Sequence, residues 1–300
     1  MTIPAFRALS LIAGGTGAVV ALAMMPGAPA VSAERGTAPI SPGAAPRISQ
    51  LSYNGELTQG GWIRGKAPAG TRSLLLDGQP VKIAADGSWF AAFDRDAAPQ
   101  ATLSVIAADG SVSRQPLPVG RRAWQIENVN IARRADGPSA AFMAIRAPEL
   151  ARIGAARQLD TGAQGWRQQF VWPVKGRISG RFGSQRIYHG EPGSYHSGLD
   201  ISSGTSGTPF VAPADGVVIL AAEKPFTLEG NLLMLDHGAG LNSAFLHCSQ
   251  ILVKEGDYVK QGQVIGKIGM TGRATGPHLH WSIKWNDARL DPLLFTGPMN

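Results

Sequence analysis

Three Asp-Gly pairs, Asp77-Gly78, Asp86-Gly87 and Asp109-Gly110, punctuate short apolar runs between Ile48 and Val119. Such pairs accept the positive φ values of two-residue hairpin turns, so the stretch is confined to antiparallel strands. Strands are predicted at 73–76, 81–84, 88–93, 101–107 and 111–117, forming a small β-sandwich over 49–120. Strand-and-turn signals return from Phe170 to Phe295, with apolar runs at 216–220 and 231–235. The fold class is therefore all-β, in two parts. A connector over 121–170 joins them, with a strand predicted at 124–131 and one short helix. Pro148 suits a first helical position, and Leu150, Ile153, Arg157 and Leu159 follow it.

The first residues read as an address. Arg7 precedes an apolar stretch from Ala8 to Met25, then Pro26, Gly27 and a small-residue ending at Val31-Ser32-Ala33. This layout predicts a secretory signal over 1–33, cleaved after Ala33. Uncleaved, it would be the chain's membrane contact. Residues 34–48, with Pro39, Pro42 and Pro46, read as an extended linker. The expected location is the periplasm or another extracytoplasmic envelope compartment.

The formal charge of +7 is unevenly spread. Residues 1–120 contribute nine basic against seven acidic groups, 121–170 eight against four, and 171–300 eleven against ten. The excess lies in the connector and is entirely arginine, without the interleaved aromatics of a single-stranded nucleic-acid groove. No nucleic-acid partner is expected. The single cysteine, Cys248, excludes an internal disulfide and a multi-thiolate zinc site, so any metal would need histidine and carboxylate ligands.

Those residues occur in two groupings, His196-Ser197-Gly198-Leu199-Asp200 and His278-Leu279-His280. The second opens an alternating run in which Leu279, Trp281, Ile283 and Trp285 share the core face. His278 and His280 must then point the other way, with origins about 7 Å apart. Gly198 and the Gly/Ser-rich stretch after Asp200 disfavour a helix at the first grouping, but on a strand His196 and Asp200 also share a side. Two histidines, one carboxylate and an open position describe a catalytic zinc site, and also a non-haem iron oxygenase. Surplus histidine favours hydrolysis, because His247 and one of His278/His280 remain free for proton transfer. Cys248, beside His247, reads as a small buried residue, and His189 and His237 as structural. Arg181 and Arg186 are candidates for a substrate carboxylate or for a solvated face.

His196 to Asp200 as H-x-x-x-D, Phe245-Leu246-His247 and Gly276-Pro277-His278-Leu279-His280, in that order, resemble the lysostaphin-type (LytM-type) zinc metallopeptidases of family M23. The resemblance runs from about Val171 to Leu294 and takes in Gly180-Arg181-Phe182-Gly183 and Val253-Lys254-Glu255-Gly256-Asp257. It implies a lysostaphin-type β-sandwich, or barrel-sandwich hybrid, over 171–300. It implies that His196, Asp200 and His280 bind Zn²⁺, that His278 is the general base and that His247 is a second catalytic histidine. The implied activity is a metalloendopeptidase acting on peptide stems and cross-bridges of peptidoglycan. The alternative is a non-catalytic LytM-like envelope protein that binds the wall or activates another hydrolase, which would bring a regulatory envelope protein as partner.

Overall fold

The computed structural model describes residues 51–132 and 138–299. The predicted signal segment and linker lie outside them. The first seven strands are β1 (Tyr53–Gly55), β2 (Trp62–Lys66), β3 (Thr71–Leu76), β4 (Gln79–Val81), β5 (Ser88–Ala92), β6 (Gln100–Ala107) and β7 (Val112–Pro118). They form two antiparallel sheets, β1-β2-β5 and β4-β3-β6-β7, as the Asp-Gly turns require. Asp77, at φ 48°, and Gly78, at φ 81°, both occupy the left-handed region at the β3–β4 hairpin.

In the connector, β8 (Ile126–Val129) lies within the predicted 124–131 strand. The helix α1 (Ala140–Arg157) is longer than predicted and starts eight residues earlier. Ser139, not Pro148, sets its start: the Ser139 hydroxyl accepts the Phe142 N–H at 3.1 Å, an N-cap bond. Pro148 sits inside the helix, where it donates no hydrogen bond. Among the described residues no helix is long and apolar enough to cross a membrane.

The remaining strands are β9 (Arg177–Gly180), β10 (Gln185–Tyr188), β11 (Glu191–Pro192), β12 (Leu199–Ser202), β13 (Pro209–Val211), β14 (Gly216–Ala221), β15 (Asn231–Gly238), β16 (Leu241–Cys248), β17 (Gln250–Ile251), β18 (Tyr258–Val259), β19 (Val264–Lys267), β20 (Leu279–Trp285) and β21 (Ala288–Leu290). Their principal sheet runs β18-β14-β15-β16-β20-β12-β9, with β21 beside β20. A second sheet, β13-β19-β17, packs against it, and a third, β11-β10-β8, takes its parallel edge strand from the connector. Among the described residues no closed barrel forms.

One hydrophobic core runs from Leu51 to Phe295 through both parts. Trp62 stacks on Phe90 and packs at a tilt against Phe295, and its indole N–H donates to the Leu294 carbonyl at 2.9 Å. A second, smaller core forms where Ile153 and Ala156 of α1 meet Leu232, Met234 and Ala244 of the principal sheet. Ala244 lines the same pocket as Leu246, His280, Ser282 and Lys284. The helix therefore covers part of the sheet face that carries His280.

Candidate metal centre and cleft

Strand register brings the first site residues together. Asp200 of β12 lies directly opposite His280 of β20, and Leu246 of β16 faces His280 from the other side. As the alternation predicts, Leu279, Trp281 and Ile283 are fully buried on the core face while His280 projects to the opposite face. His196 precedes β12 and leans in, so that its Nε2 lies 3.1 Å from Asp200 Oδ1 and 3.1 Å from His280 Nδ1. His280 Nδ1 is 2.8 Å from the same Asp200 oxygen. Glycines make room for this arrangement. A Cβ at Gly180, paired with Asp200 across β9, would collide with Asp200 Oδ2, and one at Gly198 would lie 2.6 Å from His280 Nε2.

The triad suits a tetrahedral Zn²⁺. Ligands at 2.0–2.1 Å from a tetrahedral centre stand about 3.3 Å apart, so these three donors need to part by only a few tenths of an ångström. His196 Nδ1–H donates to the Arg181 carbonyl at 3.0 Å, which leaves the Nε2 lone pair facing the other two donors, the outer-shell support typical of metal-binding imidazoles. Burial pushes the Asp200 carboxyl up, but the hydrogen bonds and charge of His196 and His280 outweigh it and hold Asp200 well below the usual carboxylate range. For His196 burial opposes protonation, and its bond to Asp200 prevails, raising its pKa. For His280 burial prevails and lowers it.

Two further histidines border the triad. His278 Nδ1–H donates to the Gly276 carbonyl at 2.8 Å, and its Nε2 lies 3.7 Å from Asp200 Oδ1. His247 Nδ1–H donates to the Thr271 carbonyl at 2.8 Å, and its ring centroid is 5.0 Å from that of His278. Both present an Nε2 lone pair. Burial lowers the His247 pKa.

His247 reaches the cleft by a device that alternation does not foresee. Between Phe245 and Cys248 strand β16 holds one residue more than its partner β15 between Leu233 and Asn231, and His247 takes φ 65° at this bulge. Leu246 and His247, though consecutive, both line the cleft, while Cys248 is buried with its thiol pushed up to about 12.

The five residues line a cleft of about 390 Å³ together with Tyr195, Ser197, Glu229 and Arg273. It opens past His196 and Asp200 into a broader groove of about 1060 Å³, bounded by β8 and β10. Residues 194–292 match the model of peptidase family M23. A solved peptidase M23 structure from Pseudomonas aeruginosa is 30% identical with a TM-score of 0.60, covering 81% of this chain and 95% of that one. The chain belongs to peptidase family M23. Among curated relatives, this M23 chain is 38% identical over 117 residues to peptidoglycan DD-endopeptidase ShyA of Vibrio cholerae, 39% of this chain and 26% of ShyA. It is 37% identical over 122 residues to DD-carboxypeptidase/endopeptidase Mpg of Neisseria meningitidis, 41% of this chain and 27% of Mpg. The M23 chain thus spans about a quarter of the length of these relatives.

Other sequence readings resolve in the structure. His237 is fully buried between the Asp215 carbonyl and the Ser243 hydroxyl, and His189 sits at a turn with φ 46°. Arg186 pairs with Glu127 at the surface. Arg181 serves the site through its carbonyl rather than its guanidinium. Tyr195 and Arg273 line the cleft without belonging to any recognised motif; their position depends on loops whose sequence carries no periodic signal.

Proposed function

We propose that this chain is an extracytoplasmic zinc metalloendopeptidase that hydrolyses peptide cross-links of peptidoglycan. The observation that carries the reading is the convergence of His196 Nε2, Asp200 Oδ1 and His280 Nδ1 within 4.8 Å, beside two histidines with unused Nε2 lone pairs. The names of the ShyA and Mpg relatives support the substrate class, and the secretory layout of the first 33 residues supports the compartment.

His196, Asp200 and His280 would hold Zn²⁺, which would supply Lewis-acid chemistry, acidifying a water and polarising a carbonyl. His278 Nε2, 3.7 Å from Asp200 Oδ1 and without a hydrogen-bond partner of its own among the described residues, is placed to accept a proton from a nucleophilic water in the cleft. Its Nδ1–H stays on the Gly276 carbonyl, which fixes both tautomer and ring plane. The proton that His278 takes up is the one returned to the leaving amine, and His247 Nε2 faces the same space across the cleft as the second histidine beside the reacting groups. Leu228 and Leu246 line the cleft and help exclude competing water.

The test is digestion of purified peptidoglycan by the purified chain, with the released muropeptides weighed by mass spectrometry. Peptide-bond cleavage that is lost with chelator, restored by zinc and absent in His280→Ala supports the reading. Stoichiometric zinc binding with no release would sink it in favour of the non-catalytic envelope protein.

A further inference from the structure

Beside the metal cleft, and sharing Ser197, Glu229, Leu246 and His280 with it, lies a second cavity of about 230 Å³ between α1 and the principal sheet. Its floor is apolar, from Ile153, Leu232, Met234 and Ala244. Its other end holds Arg157 of α1, Lys284 of β20 and Arg289 of β21. Arg157 and Lys284 lie close enough to Arg289 for its charge to disfavour theirs. Burial lowers the Arg157 and Lys284 pKa values, and repulsion from Arg289 adds to it in both cases.

Carboxylates near this cluster are mostly committed elsewhere. Glu229 is engaged by Arg146, and Asp94 accepts the Arg289 backbone N–H. Asp287 approaches Lys284 only to 3.9 Å from a fully exposed position. Arg157 Nε is a buried donor that finds no acceptor among the described residues. Leaving such a donor unpaired costs about 1–3 kcal/mol, which an arriving oxyanion would recover. Arg289 also reaches the cleft wall, donating to the Tyr195 hydroxyl at 3.4 Å.

We infer that this cavity is a substrate subsite that receives a small aliphatic residue bearing a free carboxylate, adjoining the scissile amide, with Arg157, Lys284 and Arg289 as its anion-binding groups. The assignment rests on the endopeptidase reading for the identity of the ligand as substrate. Apolar floor and cationic end match the two halves of such a residue, and guanidinium groups pair with carboxylates through parallel hydrogen bonds. The volume is below the roughly 300–1,000 Å³ of drug-sized sites, which limits the occupant to one or two small residues.

Binding is measured by NMR titration of the full chain in chelator, so that no carboxylate can bind through zinc, with acetyl-D-alanyl-D-alanine as free acid and as C-terminal amide. The acid should bind at least tenfold more tightly, and Arg289→Gln and Lys284→Gln should each cut that preference fivefold or more. With zinc restored and carboxylate-bearing cross-linked peptides as substrate, the same variants should raise KM about tenfold and move kcat less than twofold. A purely structural role would instead lower Tm and kcat together. Equal binding of acid and amide, or a preference that survives both substitutions, overturns the subsite. So does inorganic phosphate binding to the cluster while acid and amide bind alike, since the pocket would then hold a free anion. Cleavage without carboxylate preference removes the subsite and leaves the endopeptidase standing; preference in binding without any cleavage does the reverse.

Discussion

Arg146 of α1 and Glu229, in the turn before β15, are joined by two hydrogen bonds of 2.6 Å, Nη1 to Oε2 and Nη2 to Oε1. Glu149 adds a third contact to Arg146 at 2.9 Å and accepts both the N–H and the hydroxyl of Thr227. The backbone carbonyl of Glu229 in turn accepts the His247 N–H at 2.8 Å. Docking of the helix is thereby tied to the segment that holds the bulged histidine.

Arg146→Met breaks this clamp from one side. The Glu229 side chain is 16% exposed, so its carboxylate would be left largely desolvated and unpaired. A loss of about 3 kcal/mol in urea unfolding is expected, in line with removal of one partner of a buried pair. Arg146→Met combined with Glu229→Gln should recover more than half of that loss. If the double variant is no more stable than the single, the pair is not what holds the helix.

Gly198→Ala tests the packing behind the metal centre. The added methyl would lie 2.6 Å from His280 Nε2 and 2.7 Å from the Trp281 carbonyl oxygen, and that backbone cannot yield cheaply. Zinc affinity, read by competition with a chromogenic chelator, should fall at least tenfold, since displaced support of a ligand typically costs that much. A stability loss of about 1–3 kcal/mol should accompany it. Wild-type affinity would mean that His280 does not need its observed position.

These two sites differ in how openly the sequence displays them. Asp200, His278 and His280 were legible because strand alternation has period two, and the apolar partners Leu279, Trp281 and Ile283 declare which face is core. The Asp-Gly hairpins were legible because the turn needs positive φ locally. Nothing comparable marks the bulge at His247, whose extra residue appears only when β16 is aligned with β15. Nor does α1 advertise its length. Pro148 resembles a helix start, while the competing signal, Ser139 capping Phe142, lies nine residues earlier in a stretch of small residues. The docking of Arg146 on Glu229 joins residues 83 positions apart, which local pattern does not encode.

Gly154 is a glycine in α1 that the fold does not require. A Cβ there would meet no atom within 4 Å. Gly154→Ala should stabilise the helix by about 0.5–1 kcal/mol, seen as a raised urea midpoint with unchanged slope. A loss of stability would show that the exposed side of α1 is covered in solution.

His237 makes stability pH-dependent for a reason separate from the metal centre. It is fully buried, donates from Nδ1 to the Asp215 carbonyl and accepts the Ser243 hydroxyl at Nε2, each at 2.8 Å. Burial lowers its pKa to about 4, against 6.5 when exposed. Between those values the unfolded chain binds a proton that the folded chain does not. Stability from this residue is therefore fully present above pH 6.5 and lost progressively as pH falls toward 4, by up to about 3 kcal/mol. The difference between wild type and His237→Gln isolates the contribution of this residue. Urea unfolding at pH 7.5, 6 and 5 should show the wild type losing its advantage over the variant stepwise, with most of the loss between pH 6 and 5. A difference that stays constant over that range would mean that His237 keeps the same protonation state in both the folded and the unfolded chain.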